Sequence, residues 1–118
     1  MRIGELAKRA GISTSKIRFY ESKGLLPPAA RLPNGYREYG DIDLDVVKFI
    51  DRAQSLGFTL RDVATHLSSP QGDARKARLQ ARLEEKLAEL DLHLEQVRAR
   101  RAILLKLIEE VRLTRAMA

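Results

Sequence analysis

"RFYESKGLLPPAARLPNGYREY", residues 18–39, carries four of the chain's six aromatic residues, interleaved with arginines and broken by Gly and Pro. Such a segment makes poor core, because prolines remove backbone donors and guanidinium groups are costly to bury. The alternation of rings with cations suits a surface that meets an anionic partner. Its centre supplies the geometry. Asn34-Gly35 lies between Arg31-Leu32 and Tyr36-Arg37-Glu38-Tyr39, the short-turn signal of a β-hairpin, since both turn residues tolerate positive φ. Pro33 restricts the first strand to an edge, and Pro27 and Pro28 stop whatever helix precedes it.

Upstream, Ile3, Leu6, Ala7 and Ala10 fall at helical spacing and Gly11 supplies a stop. Ser13 or Thr14 caps a second helix from Ser15 to about Lys23, with Ile17 inward and Gly24 at its end. Two short helices joined by a Gly-containing turn, with Lys16, Arg18 and Lys23 on the second, have the organisation of a helix-turn-helix. The basic hairpin that follows makes it a winged variant. Arg31 and Arg37 are placed to grip phosphates, and Tyr36 and Tyr39 to stack on sugars or bond phosphate oxygens. Phe19 and Tyr39 are read as core rings, Tyr20 and Tyr36 as rings at the DNA.

Downstream, Asp41 stands as a cap for a third helix whose apolar positions are Val46, Val47, Phe49, Ile50, Ala53 and Leu56, closed by Gly57. Thr59 caps a fourth, with Asp62 in its first turn and Leu60, Val63, Ala64 and Leu67 as its apolar face. SSPQGD, residues 68–73, is linker material. An uninterrupted helical pattern then runs from about Ala74 to Arg112. Leu83, Leu87, Leu90, Leu94, Val97, Leu104, Ile108 and Val111 follow the alternating spacing of a coiled coil, with Arg101 in one core slot. At about 1.5 Å per residue this helix is roughly 55 to 60 Å long, more than the preceding domain can cover, so the seam needs a partner.

The 118 residues carry 22 basic and 16 acidic side chains, a net charge of +6, which favours a polyanion. The excess is concentrated at the front: residues 1–40 hold eight Lys or Arg against three Asp or Glu, whereas residues 41–69 hold three against five. There is no cysteine, which excludes disulfides, thiolate metal sites and thiol redox sensing. His66 and His93 lie on different helices without ligand spacing and read as ordinary surface histidines. Asp41, Asp43 and Asp45 lack the Gly and closing Glu of an EF-hand. No phosphate loop and no paired nucleophile and base appear, so neither catalytic residues nor a cofactor is expected. The N-terminus lacks the apolar run of a signal peptide and no segment approaches a membrane-spanning length, so a cytoplasmic protein is expected.

"IGELAKRAGISTSKIRFYESKGLLPP", then an "NGYREY" wing, then "VVKFIDRAQSLGFTLRDV" together resemble the DNA-binding domain of the MerR family of bacterial transcription regulators. The resemblance covers residues 1 to about 68 and continues in kind through the long helix. It implies a mainly α fold: a winged helix-turn-helix over residues 1–69 with a small β-hairpin wing at about 30–40, a linker at 70–73, and a dimerisation helix with a short tail at 74–118 that pairs as an antiparallel coiled coil. Carried over position by position, Arg18 and Tyr20 match contacts of the second helix, with Ser15 and Lys16 beside them. Arg31, Tyr36 and Arg37 match wing contacts, and Arg61 stands near a further backbone contact. The implied partners are double-stranded promoter DNA, a second copy of the chain, and RNA polymerase, with an overlong promoter spacer shortened by distortion. Metal-sensing members carry cysteines at the start of the long helix and in a loop after it. Here those places read DARKARLQ and RLTRAMA, so thiol-based sensing is disfavoured and the effector is left open between a small site beside the long helix, none, or one on a segment beyond this sequence. The alternative is an architectural winged-helix protein similar to excisionases, against which the long helix argues.

Overall fold

The computed structural model describes residues 1–27 and 30–117 and divides into two compact units, Met1–Arg75 and Lys76–Ala118. Pro28, expected to stop a helix, lies outside the described residues. The first unit opens with α1 (Ile3–Ala10) and α2 (Thr14–Ser22). Gly11 ends α1 at a φ of 72°, and the Ile12 N–H donates to the Ala7 carbonyl at 3.1 Å. The left-handed conformation, open to glycine without a Cβ penalty, sends the chain sharply into the next helix. Ser13 caps α2 by accepting from the Lys16 N–H at 3.1 Å. Gly24 then repeats the α1 exit, with Leu25 N–H donating to the Tyr20 carbonyl at 3.0 Å and its side chain turning inward.

The hairpin pairs β1 (Ala30–Arg31) with β2 (Arg37–Glu38), antiparallel, Ala30 opposite Glu38 and Arg31 opposite Arg37. Its turn starts earlier than the Asn-Gly pair suggests. Gly35 N–H donates to the Leu32 carbonyl at 2.9 Å, so Pro33 and Asn34 fill the two central positions. Proline's fixed φ suits the first of these, and only Gly35 takes a positive φ, 85°. Asn34 contributes through its side chain, whose Oδ1 accepts from the Tyr36 N–H at 3.1 Å. The chain start lies along β2: Tyr39 N–H donates to the Met1 carbonyl at 2.7 Å, and the Met1 ammonium to the Tyr39 carbonyl at 2.6 Å.

α3 (Asp41–Ser55) and α4 (Leu60–Ser68) complete the unit. Asp41, expected as the α3 cap, is instead the first helical residue. Gly40 occupies the cap position, and Asp43 reaches back to accept from its N–H at 2.8 Å. Thr59 caps α4 as expected and does so reciprocally, its Oγ1 accepting from Asp62 N–H at 3.1 Å while Asp62 accepts from Thr59 N–H at 3.0 Å. Leu6, Ala7, Ile17, Leu26, Tyr39 and Val47 form one buried cluster. Tyr20, Leu25, Ile50, Ala53 and Val63 form a second, flanked by Phe49, Phe58, Leu60, Ala64 and Leu67. Leu56, expected inside, is exposed at the α3 cap. His66, expected on the surface, is half-buried, stacked against Phe49 at 5.1 Å and accepting from Arg75 Nε at 3.2 Å.

α5 (Asp73–Met117) is 45 residues long, about 68 Å at 1.5 Å per residue. It outruns the expected end near Arg112 because the residues that follow contain neither Gly nor Pro. None of its residues is buried within the single chain, and every expected seam position, Leu83 through Val111, is exposed. Replacing Thr59 with Ala should remove one arm of the α4 box and lower stability by about 1 kcal/mol. Urea denaturation of the two proteins measures it, and an unchanged midpoint would show that the cap contributes nothing.

Candidate nucleic-acid interface

Helical periodicity decides what α2 can offer. Ile17 points into the core and Tyr20, three residues on, is turned only about 60° from it at 3.6 residues per turn. Tyr20 is accordingly 0% exposed, and its hydroxyl donates to Gln54 Oε1 at 2.9 Å. Phe19, nearly opposite Ile17 on the wheel, is 43% exposed. The expected division of these two rings is therefore reversed: Tyr20 has no surface with which to touch DNA, and Phe19 takes the outward position. Ser15 and Arg18 share that outer face with Phe19 and Ser22. Lys16 turns sideways instead, its ammonium 2.8 Å from Asp51 Oδ1 on α3. This hydrogen bond holds its pKa above the ordinary lysine value. Lys23 lies over the Phe19 ring at 5.6 Å.

The wing is tied to the back of α2 through Glu21. Its carboxylate, 9% exposed, accepts from Arg37 Nη1 at 2.5 Å and from the Tyr39 hydroxyl at 2.5 Å. Arg37, expected as a phosphate grip, is thus first a fastening between helix and wing. Arg31 and Tyr36 remain exposed on the hairpin, and the guanidinium of Arg2 lies over the Tyr36 ring at 4.0 Å. Arg61 is exposed in the first turn of α4. The structure therefore presents Ser15, Arg18, Arg31, Tyr36 and Arg61 to solvent, turns Lys16 to an acid, and buries Tyr20.

Three residues at this surface escaped the sequence reading. Phe19 was legible from the helical wheel, counted from Ile17. Glu21 had no local signal, because its two donors come from residues on the far side of the hairpin. Arg2 had none either, since its neighbour Tyr36 is brought to it only by the pairing of Met1 with Tyr39. Among the described residues no group of three His, Cys, Asp or Glu side chains could hold a metal ion, and no helix is long and apolar enough to cross a membrane.

The chain matches the family described as "MerR HTH family regulatory protein" over residues 1–69 and the one described as "MerR, DNA binding" over residues 44–112. It is 39% identical over 110 residues to the HTH-type transcriptional regulator PA4778 of Pseudomonas aeruginosa, covering 92% of this chain and 83% of that protein. To the HTH-type transcriptional regulator CueR of Salmonella typhimurium it is 36% identical over 111 residues, covering 92% and 80%. Among solved structures it is similar to the transcription regulator PbrR691 from Ralstonia metallidurans CH34 in complex with lead(II). The TM-score there is 0.68 at 31% identity, covering 90% of this chain and 83% of that one.

The locked tyrosines carry a pH signature. Burial raises the phenols of Tyr20 and Tyr39 above the ordinary tyrosine value of 10.0, and for Tyr39 the Glu21 carboxylate adds to it. The folded chain keeps these protons where the unfolded chain would release them, so their contribution is intact below pH 10.0 and is lost as the pH rises past it. Urea midpoints measured across the alkaline range should fall, and Tyr39→Phe should fall less steeply. Equal slopes would remove Tyr39 from the account.

Proposed function

Because the chain belongs to the MerR family of HTH regulatory proteins and is a DNA-binding transcription regulator, we propose that it acts as a homodimer that distorts promoter DNA. The observation that carries this reading is the outward face of α2, Ser15, Arg18 and Phe19, held beside a wing that Glu21 fastens to the same helix. An α-helix fits the major groove, where an arginine reads guanine through two acceptors and an apolar ring meets a thymine methyl group. Arg31, Tyr36, the outer edge of Arg37 and Arg61 then hold phosphates on either side and set the register. On this reading the protein works in the cytoplasm with the chromosome and RNA polymerase, which its membership of a DNA-binding regulator family supports. With no cysteine in these residues, thiolate metal sensing forms no part of the reading.

The second copy is argued from α5. Burying one exposed leucine contributes about 1.5 to 3 kcal/mol, and the seam from Leu83 to Val111 offers a row of such side chains broken at Arg101. Charge supplies the orientation. Residues 84–95 hold Glu84, Glu85, Glu89, Asp91 and Glu95 against Lys86 alone, whereas residues 98–106 hold Arg98, Arg100, Arg101 and Lys106 with no acid. Antiparallel pairing lays each acidic stretch against the partner's basic one and gives Arg101 carboxylates within its seam slot, while parallel pairing stacks like on like. Antiparallel pairing is also compatible with two half-sites on one duplex.

Since the chain has no cysteine, single-cysteine variants report the pairing cleanly. Cysteines in the turn from Leu94 to Val97 should crosslink to their own copies under mild oxidation. A cysteine at Leu83 should not, because antiparallel pairing holds the two copies about 35 to 40 Å apart at 1.5 Å per residue. Crosslinking at Leu83 would establish a parallel pair, and a monomeric mass in solution would remove the dimer.

Readout divides in the same way. Arg18→Ala should weaken binding to the site recovered by genomic selection by about 1 to 3 kcal/mol and change the preferred bases. Arg31→Ala should weaken all sequences alike. If transcription from the native promoter responds equally when the spacer is cut to its optimal length, distortion is the wrong mechanism and recruitment or architectural bending replaces it.

A further inference from the structure

We infer that Arg2, at the start of α1, is a DNA-phosphate ligand held against the wing, where it acts as one unit with the Tyr36 ring; this rests on the DNA-binding reading above and adds a contact to it. Most cations around the hairpin are already engaged. Arg9 bonds Glu5 at 2.9 Å, Lys16 bonds Asp51, Arg37 bonds Glu21, and the Met1 ammonium bonds Glu38 at 2.7 Å. Arg2 is exposed and has no acidic partner among the described residues. Its guanidinium carbon stands 4.0 Å from the centroid of the Tyr36 ring.

That arrangement has a chemical consequence. A stacked guanidinium has its flat face covered and its N–H donors left at the rim, where a phosphate is met bidentately. Stacking also removes rotamer freedom before the ligand arrives, so less ordering entropy is lost on binding. The placement is equally constrained. Met1 and Tyr39 exchange backbone hydrogen bonds in both directions, so Arg2 is the next residue beyond that pairing and sits on the β2 side of the hairpin. Tyr36 is 54% exposed and brings its hydroxyl to the same place as a second donor. Arg37, the wing cation that the sequence motif marks, spends one edge on Glu21; Arg2 adds a cation with no acidic partner on the same side.

The test uses the full chain and a labelled duplex carrying the site recovered by genomic selection, with affinity measured against KCl concentration. Arg2→Ala should weaken binding roughly five- to tenfold at all sequences and lower the salt slope by about one phosphate's worth. Arg2→Lys should keep the slope, because the charge remains, and lose part of the affinity, because the stacked fork is gone. Tyr36→Leu should weaken the wild type by more than it weakens Arg2→Ala, because only the wild type also loses the stacked guanidinium. A stacking role confined to holding the wing would lower thermal stability and leave the salt slope unchanged, and that result overturns the proposal. Should Arg2→Ala fold poorly, the readout moves to the DNA. Neutral methylphosphonates walked along each flank should reveal one phosphate whose neutralisation weakens the wild type and Arg2→Lys to different extents, and finding none overturns the proposal as well. Arg18→Ala separates the two levels: if it abolishes binding while Arg2→Ala does nothing, only the Arg2 contact falls. If neither change matters, the interface itself is misplaced.

Discussion

The Glu21 carboxylate is almost shut away from water, and a carboxylate in that position is tolerated only when donors replace its hydration. Both donors come from the β2 side of the hairpin, the Arg37 guanidinium and the Tyr39 hydroxyl. Separating wing from helix would therefore strand a half-buried anion and a buried phenol together. Two-residue strands joined by a short ladder have little stability of their own. The wing owes its fixed place to this node and to the exchange of backbone hydrogen bonds between Met1 and Tyr39. The unit is thereby closed at both ends, since Tyr39 also belongs to the core cluster around Leu6, Ile17 and Val47.

The legible parts of the sequence were those governed by local rules. Helix ends at Gly11, Gly24 and Gly57, the Thr59 cap, and the unbroken helix of α5 all depend on residues within one or two turns of each other. What was not legible depends on packing between distant segments. Lys16 and Arg37 read as free cations because their acids, Asp51 and Glu21, lie 35 and 16 residues away. His66 read as a surface residue because Phe49 and Arg75 come to it from other elements. The exchange of Phe19 and Tyr20 has a different origin. The helical period, counted from Ile17, turns Tyr20 inward and Phe19 outward whatever the chemistry of the two rings. At the site, the exposed positions of Ser15, Arg18, Arg31, Tyr36 and Arg61 were readable from the motif, whereas Arg2 was not.

α5 imposes the other constraint. An isolated amphipathic helix in water is stabilised mainly by the partner that covers its apolar face, and α5 buries nothing of its own. Short-range pairs such as Arg82 with Glu85 and Arg112 with Glu109 contribute only tenths of a kcal/mol each. The seam leucines are the larger quantity by far. In the proposed dimer, reversal of charge sign near the middle of the helix would select among pairings that the leucines alone leave nearly equivalent, because a repeating heptad looks much the same read in either direction. Arg101 sharpens the choice: in a seam slot it is tolerated where a carboxylate of the partner can reach it and is penalised elsewhere.

On the proposed mechanism the protein has to do mechanical work on DNA. Bending and untwisting a short site takes on the order of 1 to 6 kcal/mol, and that energy has to pass through the contacts that grip the backbone. A wing free to pivot on its ladder would yield before the duplex did. The fastenings at Glu21, at Met1 with Tyr39, and at Arg2 with Tyr36 reach the hairpin from two segments of the chain, α2 and the N-terminus, so the hairpin is held at more than one point. A stiff wing, however, makes the protein insensitive to small changes in its own shape, and any signal must then act elsewhere. A ligand shifts the balance between merely bound and distorting states only by its difference in affinity for the two. If the wing and α2 move as one body, the proposed pairing of α5 with a second copy is the element left to differ between the two states.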